Sequence, residues 1–363
     1  MMMLSRKSFI NAMAFLVCLQ DVSSWTNPFS TKSSSPAPAL GKKSTAADVL
    51  RELNTSDRLA PYVGTESSGG TAIVTGGNTG IGAVTAATLA MAGMKVVLCS
   101  RSLEKGYEAV QTSVPSWCRD NVIVQELDLA DMTSIQKASE EILSTIENGV
   151  DVIVNNAGVM SPPTRLETTQ KLELQFGTNH VGHHMWTRLL LPHINPHGRV
   201  VTVASTAHSM GKTDNWGDGI YTPWGAYGQS KLANIYFAKE LQDRAHQMER
   251  KDIKSVTLHP GVIGTNLWQY TPRVLQFLTP VFADKTVPQG AATNVYCALA
   301  NDVEGGGYYD NCQLTNPTEL AEDESKRKEL WDFTEKLIES KGYTLPADLV
   351  APLPSSVEET VTV

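Results

Sequence analysis

The sequence predicts an α/β fold, a single Rossmann-type doubly wound parallel sheet with helices on both faces, and three observations predict it. A β-branched strand runs straight into a glycine-rich turn and a helix-forming segment in Thr71-Ala-Ile-Val-Thr-Gly-Gly-Asn-Thr-Gly-Ile-Gly82. Strand-like and helix-like segments then alternate with short connections, the pattern of parallel strands joined by crossover helices. The strand segments are apolar runs without polar alternation, which suits strands covered on both faces.

In chain order, a short helix is expected over 48–59, ahead of the fold. Strand 71–75, helix 80–92, strand 95–100, helix 103–113 and strand 121–127 follow. A helix over 131–146 leads to strand 150–154, helix 173–191 and strand 199–204. After an irregular stretch come helix 226–248 and strand 253–258. Residues 261–288 show no clean period, 289–299 read as helix, 307–309 as a short strand and 318–340 as a charged amphipathic helix. There is no internal repeat.

With 363 residues, 41% hydrophobic and 19% charged, the chain has ordinary globular composition and length for one α/β domain with tails. A formal charge of -8, with no Lys/Arg cluster in the body, argues against a nucleic-acid partner. Five cysteines at no metal-ligand spacing point to reduced thiols and no disulfide framework.

The N-terminus differs from the rest. Arg6 and Lys7 precede an apolar run, 9–19, too short to span a bilayer and fit for a signal sequence. Residues 22–47 hold no acid, are rich in Ser and Thr, and carry Lys32, Lys42 and Lys43, a transit-peptide composition. Together with Ser23-Ser24-Trp25 this resembles the two-part presequence of plastid proteins in algae with secondary plastids. The alternatives are a plain disordered terminus or a membrane anchor, with the endoplasmic reticulum or a membrane surface as destination. The expected division is 1–47 targeting leader, removed on maturation, 48–67 N-terminal extension, 68–340 the folded domain and 341–363 a flexible tail.

Several residues could carry chemistry. Gly76 can adopt backbone angles barred to other residues, Gly80 lets a phosphate approach the main chain, and Gly82 lets the following helix pack closely on the strand. That helix N-terminus would face a pyrophosphate with free N–H groups. Of the ten tyrosines only Tyr227 has a lysine four residues later, Lys231, on the same helix face. A phenol titrates near 10 and is a poor base at neutral pH, and an ammonium held close favours the phenolate. Ser205 follows an apolar strand, where open parallel sheets bind ligands. Asn155-Asn156-Ala157-Gly158 ends another strand with residues small enough for a cofactor ring to approach. Each motif alone reads equally as a surface pair or an ordinary turn.

Together, in this order, the Thr75 to Gly82 turn, Asn155 to Gly158, Asn179 in Thr-Asn-His-Val-Gly-His, Ser205 and Tyr227-Gly-Gln-Ser-Lys231 resemble the short-chain dehydrogenase/reductase family, over residues 68–340. The resemblance implies Tyr227 as proton donor or acceptor, Lys231 as its electrostatic partner and ribose ligand, Ser205 as the clamp on the substrate oxygen and Asn179 as holder of a relay water. It also implies a cofactor lying along Gly76, Asn78, Thr79, Gly80, Ile81 and Gly82, then Ser100 and Arg101, Asp128 and Leu129, Asn155, Ala157 and Gly158, Tyr227 and Lys231, and Pro260, Gly261, Val262 and Thr265. The stretches Ala204 to His208, His259 to Leu267 and Val295 to Ala300 resemble the retinol dehydrogenase and WW-domain oxidoreductase branch, with protochlorophyllide reductases as cousins.

Gly77 and Ala204 stand where close relatives often have Ala and Ser, mild departures. The interval of 22 residues from Ser205 to Tyr227, with Trp216 and Trp224, is longer than usual and is expected to add a flap over the site. An acid at the end of strand two would repel a 2′-phosphate, but this chain has Cys99-Ser100-Arg101, and Arg101 can pair with one, so the cofactor is expected to be NADP(H). His180, His183 and His184 lack an HExxH pattern or a neighbouring carboxylate and are expected to be structural, with no metal. The aromatic and aliphatic run over 267–282, which covers the substrate in this family, points to a hydrophobic alcohol or carbonyl. The expected function is hydride transfer between NADP(H) and such a substrate. The alternatives are ring double-bond reduction, as in protochlorophyllide reductase, or an NADP-binding redox sensor without turnover. Peripheral membrane contact and a homo-oligomer are both compatible with this reading.

Overall fold

The computed structural model describes residues 39–63, 69–264 and 284–347. Strands β1 (Thr71–Thr75), β2 (Lys95–Ser100), β3 (Val122–Glu126), β4 (Val150–Asn155), β5 (Ile194–Val203), β6 (Lys254–His259), β7 (Tyr308–Asp310) and β8 (Gln313–Thr315) form one sheet. Its order is β3-β2-β1-β4-β5-β6-β7-β8, and every pairing is parallel except β7 with β8. The helices are α1 (Ala46–Thr55), α2 (Gly80–Met91), α3 (Leu103–Ser113), α4 (Met132–Thr145), α5 (Leu174–Phe176), α6 (His183–Leu190), α7 (Pro223–Gln247), α8 (Val287–Leu299) and α9 (Glu324–Ser340).

Side chains alternate along each strand, so a sheet covered on both faces needs two cores. In β1, Ala72 and Val74 join the core under α1, α2, α3 and α8, while Ile73 joins the core under α4, α6, α7 and α9. The chain builds outward from β1 to β3, then crosses back to place β4 on β1's other side. That reversal opens a crevice at the carboxyl ends of β1 and β4, the place where such sheets take ligands.

Several boundaries differ from expectation for visible reasons. β5 begins at Ile194, because its first residues pair with Val150 before a register irregularity. β8 was not expected: its three residues are all exposed, so no apolar signal marks it. The helix expected over 318–340 is a 3₁₀ turn (Glu319–Glu322) and then α9, since Asp323 caps the second segment by accepting from Lys326 N. The helix expected over 173–191 runs from α5 to α6 through a wider π turn, Gly177–Gly182.

The N-terminal extension is part of the fold. Thr45 and Asp48 form a reciprocal capping box at the start of α1, and Ala46, Val49, Leu50 and Leu53 are fully buried against the body. Lys42 pairs with Asp284 at 3.1 Å, and Gln289 donates to the Lys43 carbonyl. A boundary at residue 47 therefore passes through a docked helix. The rest of the expected leader, the segment 265–283 with Thr265 and the apolar run over 267–282, and the tail from 348 lie outside the described residues. Among the described residues no helix is long and apolar enough to cross a membrane.

Candidate active site

A cleft of ≈ 650 Å³ lies at the carboxyl ends of the central strands. Gly76, Asn78, Thr79, Gly80, Ile81 and Gly82 form one wall. Gly76 has φ 64° and Gly80 φ 56°, both left-handed, which explains glycine at those two positions. A Cβ at Gly82 would overlap the Gly76 carbonyl oxygen and Asn156 Nδ2, so the α2 N-terminus can approach the turn only with glycine there.

At one end of the cleft stand Ser100, Arg101, Ser102 and Lys105, with Asp128 and Leu129 opposite. Ser102 caps α3 by accepting from Lys105 N, and Ser100 Oγ accepts from Ser102 N. Among the described residues no acid pairs with Arg101 or Lys105, which leaves two cations at the mouth. The Asp128 carboxylate accepts from Ala130 N, and Asp128 N donates to Ser134 Oγ, so this acid braces its own loop.

At the other end are Ser205, Tyr227 and Lys231, with Ala157, Gly158, Pro260 and Gly261. Lys231 Nζ donates to the Val203 carbonyl at 2.9 Å and lies 5.7 Å from the centroid of the Tyr227 ring. Burial pushes the Tyr227 phenol up to about 12, with the Ser205 hydroxyl pulling the other way, and brings Lys231 down to about 8. This corrects the expectation that the ammonium holds the phenol low. Both groups sit in the low-dielectric wall, and desolvation is the largest cause of both shifts. Gly158 keeps this corner open: a Cβ there would stand 3.4 Å from Asn179 Oδ1 and 3.8 Å from Lys231 Nζ.

Two residues expected at the cofactor stand elsewhere, and Asn179, expected to hold a relay water, makes protein contacts with its side chain. Asn155 does not line the cleft; it is buried and donates to Thr187 Oγ1 at 2.8 Å, because strand alternation turns it away and presents Asn156 instead. Val262 also misses the cleft, its N–H being held by Asp284 Oδ1 while Gly261 turns at φ 96°. Asn179 lies fully buried behind the wall. Its side chain bonds Val159 in both directions and donates to Ser230 Oγ at 3.0 Å.

The interval expected to form a flap between Ser205 and Tyr227 is mostly exposed, but Trp216 within it anchors in the core. Trp216 is buried, stacked on Phe176 and edge-on to Tyr236, and Gln229 of α7 straps the interval by bonding Gly217 N and the Lys212 and Asp214 carbonyls. Trp224 stays near the site, 44% exposed and edge-on to Tyr227 at 6.1 Å. The histidines are committed to neighbours: His180 to Thr334, His184 to Glu335 and His183 to Thr75 and the Asn179 carbonyl. Sequence reasoning missed Lys105 and His259, both on the cleft wall. Lys105 was findable, since Arg101 and Lys105 stand four apart across a serine cap; His259 carries no spacing signal.

Set against known proteins, residues 70–274 match the model of the short chain dehydrogenase family. The chain is 33% identical over 317 residues to Short-chain dehydrogenase TIC 32 B, chloroplastic, of Brassica napus, covering 83% of this chain and 94% of that protein. It is 34% identical over 334 residues to Retinol dehydrogenase 13 of Homo sapiens, covering 88% of this chain and 98% of that protein. Among solved structures, an uncharacterized protein from Mycobacterium paratuberculosis superposes with a TM-score of 0.61 at 33% identity, covering 76% of this chain and 95% of that one.

Proposed function

This chain belongs to the short-chain dehydrogenase/reductase family, in its retinol dehydrogenase-like branch, and from that premise we propose that it is an NADP(H)-dependent oxidoreductase acting on an alcohol or carbonyl of a hydrophobic molecule. One observation carries the reading: one cleft has two cations, with no pairing acid among the described residues, at the β2 end and Ser205, Tyr227 and Lys231 at the β5 end. The glycine turn, with Gly76 and Gly80 at positive φ and, among the described residues, no side-chain cap on the helix N-terminus that follows, fits a pyrophosphate. When bound, NADP(H) supplies or accepts the hydride. Arg101 and Lys105 hold the 2′-phosphate, the α2 N-terminus and turn hold the pyrophosphate, and Lys231 holds the ribose. Ser205 orients the substrate oxygen, and Tyr227, protonated at neutral pH, donates to that oxygen in reduction. Met160 and Ala207 pack with the Tyr227 ring in a small apolar cluster, and Trp224 meets that ring edge-on, which supports a hydrophobic substrate.

One experiment tests both halves. With NADPH, kcat/KM for straight-chain aldehydes should rise with length and then level, since each buried methylene is worth about 0.8 kcal/mol. In the same assay Arg101→Ala should weaken NADPH by about ten- to a hundredfold and spare NADH, the scale of a lost charge-assisted hydrogen bond. Short polar aldehydes turned over as well as long ones would refute the substrate class, and equal losses for both cofactors would refute the 2′-phosphate contact.

A plastid destination belongs to the same proposal. It is supported by the transit-like composition of 22–47 and by the two Brassica napus relatives, whose names call them chloroplastic. The docking of α1 adds a condition, that processing occurs ahead of Lys42. Residues 1–41 fused to a fluorescent protein should enter the plastid of an alga with secondary plastids, and cytosolic fluorescence would count against it.

A further inference from the structure

A buried line of hydrogen bonds joins the nucleotide turn to the helix that carries Tyr227. His183, 1% exposed, is the first residue of α6, where the π turn ends. Its Nδ1 lies 2.9 Å from the Asn179 carbonyl oxygen, which can only accept, so Nδ1 carries the proton. Burial brings the ring down to about 4, so it is neutral and Nε2 bears a lone pair. Thr75 Oγ1, 2.9 Å from Nε2, must therefore donate to it. The same oxygen accepts from Asn156 N at 2.9 Å and Ala157 N at 3.0 Å, the loop that walls the cleft.

The line continues on the other side of Asn179. The Asn179 side chain donates to Ser230 Oγ at 3.0 Å, and Ser230 Oγ donates to the Tyr227 carbonyl at 2.8 Å. Every link is a buried polar group whose partner is a specific atom, so moving one member leaves another unpaired. A neutral imidazole is suited to the central place, with a donor on one edge and an acceptor on the other. A leucine of similar size would leave the Asn179 carbonyl without this donor and the Thr75 hydroxyl with only the Val154 carbonyl, at 3.4 Å. The tie sits where the helix widens into the π turn Gly177–Gly182, a feature frequent at functional sites.

We propose that His183 is a positioning residue that fixes the Asn179 carbonyl and the π turn against Thr75, and through Asn179 and Ser230 sets where Tyr227 and Lys231 stand over the cleft. The proposal rests on the reading of Tyr227 and Lys231 as the reacting pair. It assigns His183 no contact with substrate or cofactor. It separates two effects that a packing residue would change together, since the phosphate contacts that carry most of the cofactor affinity come from the glycine turn, Arg101 and Lys105, none of them on this line, while turnover depends on the placement of Tyr227.

The test compares His183→Leu, His183→Asn, Thr75→Val and Thr75→Ser in the full chain, with NADPH binding by fluorescence, kcat and KM for a long-chain aldehyde, and thermal melting. His183→Leu should bind NADPH within about twofold of the parent and keep its KM, yet lose kcat by about ten- to a hundredfold, the scale of a misplaced reacting group. His183→Asn, whose amide can still donate to the Asn179 carbonyl, should recover most of that loss. Thr75→Ser should turn over like the parent and Thr75→Val should not, which keeps the test open if His183→Leu fails to fold. Unchanged kcat in a folded His183→Leu, asparagine no better than leucine, or kcat and NADPH affinity falling together would overturn the proposal. A parent protein that binds NADPH but turns over no aldehyde or ketone overturns the reading beneath it; a turning-over parent with indifferent variants overturns only the role of His183.

Discussion

Tyr227→Phe is expected to bind NADPH as the parent does and to lose about 10²- to 10⁴-fold in kcat, the usual worth of a positioned proton donor. The substitution is clean in this structure. The ring packs on Met160 and Ala207, meets Trp224 edge-on and lies beneath Lys231, and phenylalanine keeps all of these contacts. Only the hydroxyl goes, and with it the group that hydrogen-bonds Ser205 and stays protonated at neutral pH because burial holds it near 12. NADPH titration separates cofactor binding from chemistry, and NADPH consumption with a long-chain aldehyde reads the loss. Activity within a few-fold of the parent would remove Tyr227 from the reaction.

Leu53→Ala should cost about 2–5 kcal/mol of stability, the range for truncating a fully buried leucine. Leu53 is 0% exposed and lies with Val49 and Leu50 in the core shared by α1, α2 and α8. Alanine there leaves a cavity in the core between α1, α2 and α8. Arg51→Ala on the exposed face of the same helix should change stability by less than about 0.5 kcal/mol. Thermal melting of the two variants side by side decides the matter. A Leu53→Ala melting point equal to that of Arg51→Ala would mean that α1 is not docked on the body in solution.

Much of the site was legible because each part has a local cause. The turn needs glycines where φ is positive or where no Cβ fits, and Gly76, Gly80 and Gly82 meet those conditions within seven residues. The i, i+4 spacing brings Tyr227 and Lys231 to one helix face whatever surrounds them. Arg101 at the end of β2 is readable for the same reason, since strand ends of a parallel sheet share one edge.

Other parts were not legible, and the reasons differ. Asn155 and Asn156 are adjacent and chemically identical, and only the register of β4 decides which faces the cleft. Trp216 looked like part of a flap because its surroundings are irregular, yet its partners Phe176 and Tyr236 are distant in sequence. The direction of the Tyr227 shift was misjudged because sequence reveals a neighbouring charge but not the depth at which both groups lie. The place of His183 between Thr75 and Asn179 depends on a 2.9 Å approach across 108 residues of chain.

By itself the sequence determined the parallel α/β sheet, the glycine turn, the Tyr227–Lys231 pair and the cation at the end of β2. The turn, the pair and the cation rest on interactions within about a dozen residues, and the sheet on strand and helix patterns that alternate locally along the chain, where chain geometry leaves few choices. Only the tertiary structure decided that α1 belongs to the body, that Lys105 joins Arg101 at the cleft, that the Asn179 side chain is buried and that His183 lies between Thr75 and the Asn179 carbonyl. Each of these is settled by which groups from distant segments are shut away from water together, because a buried donor or charge takes its partner and its pKa from whatever the fold brings against it.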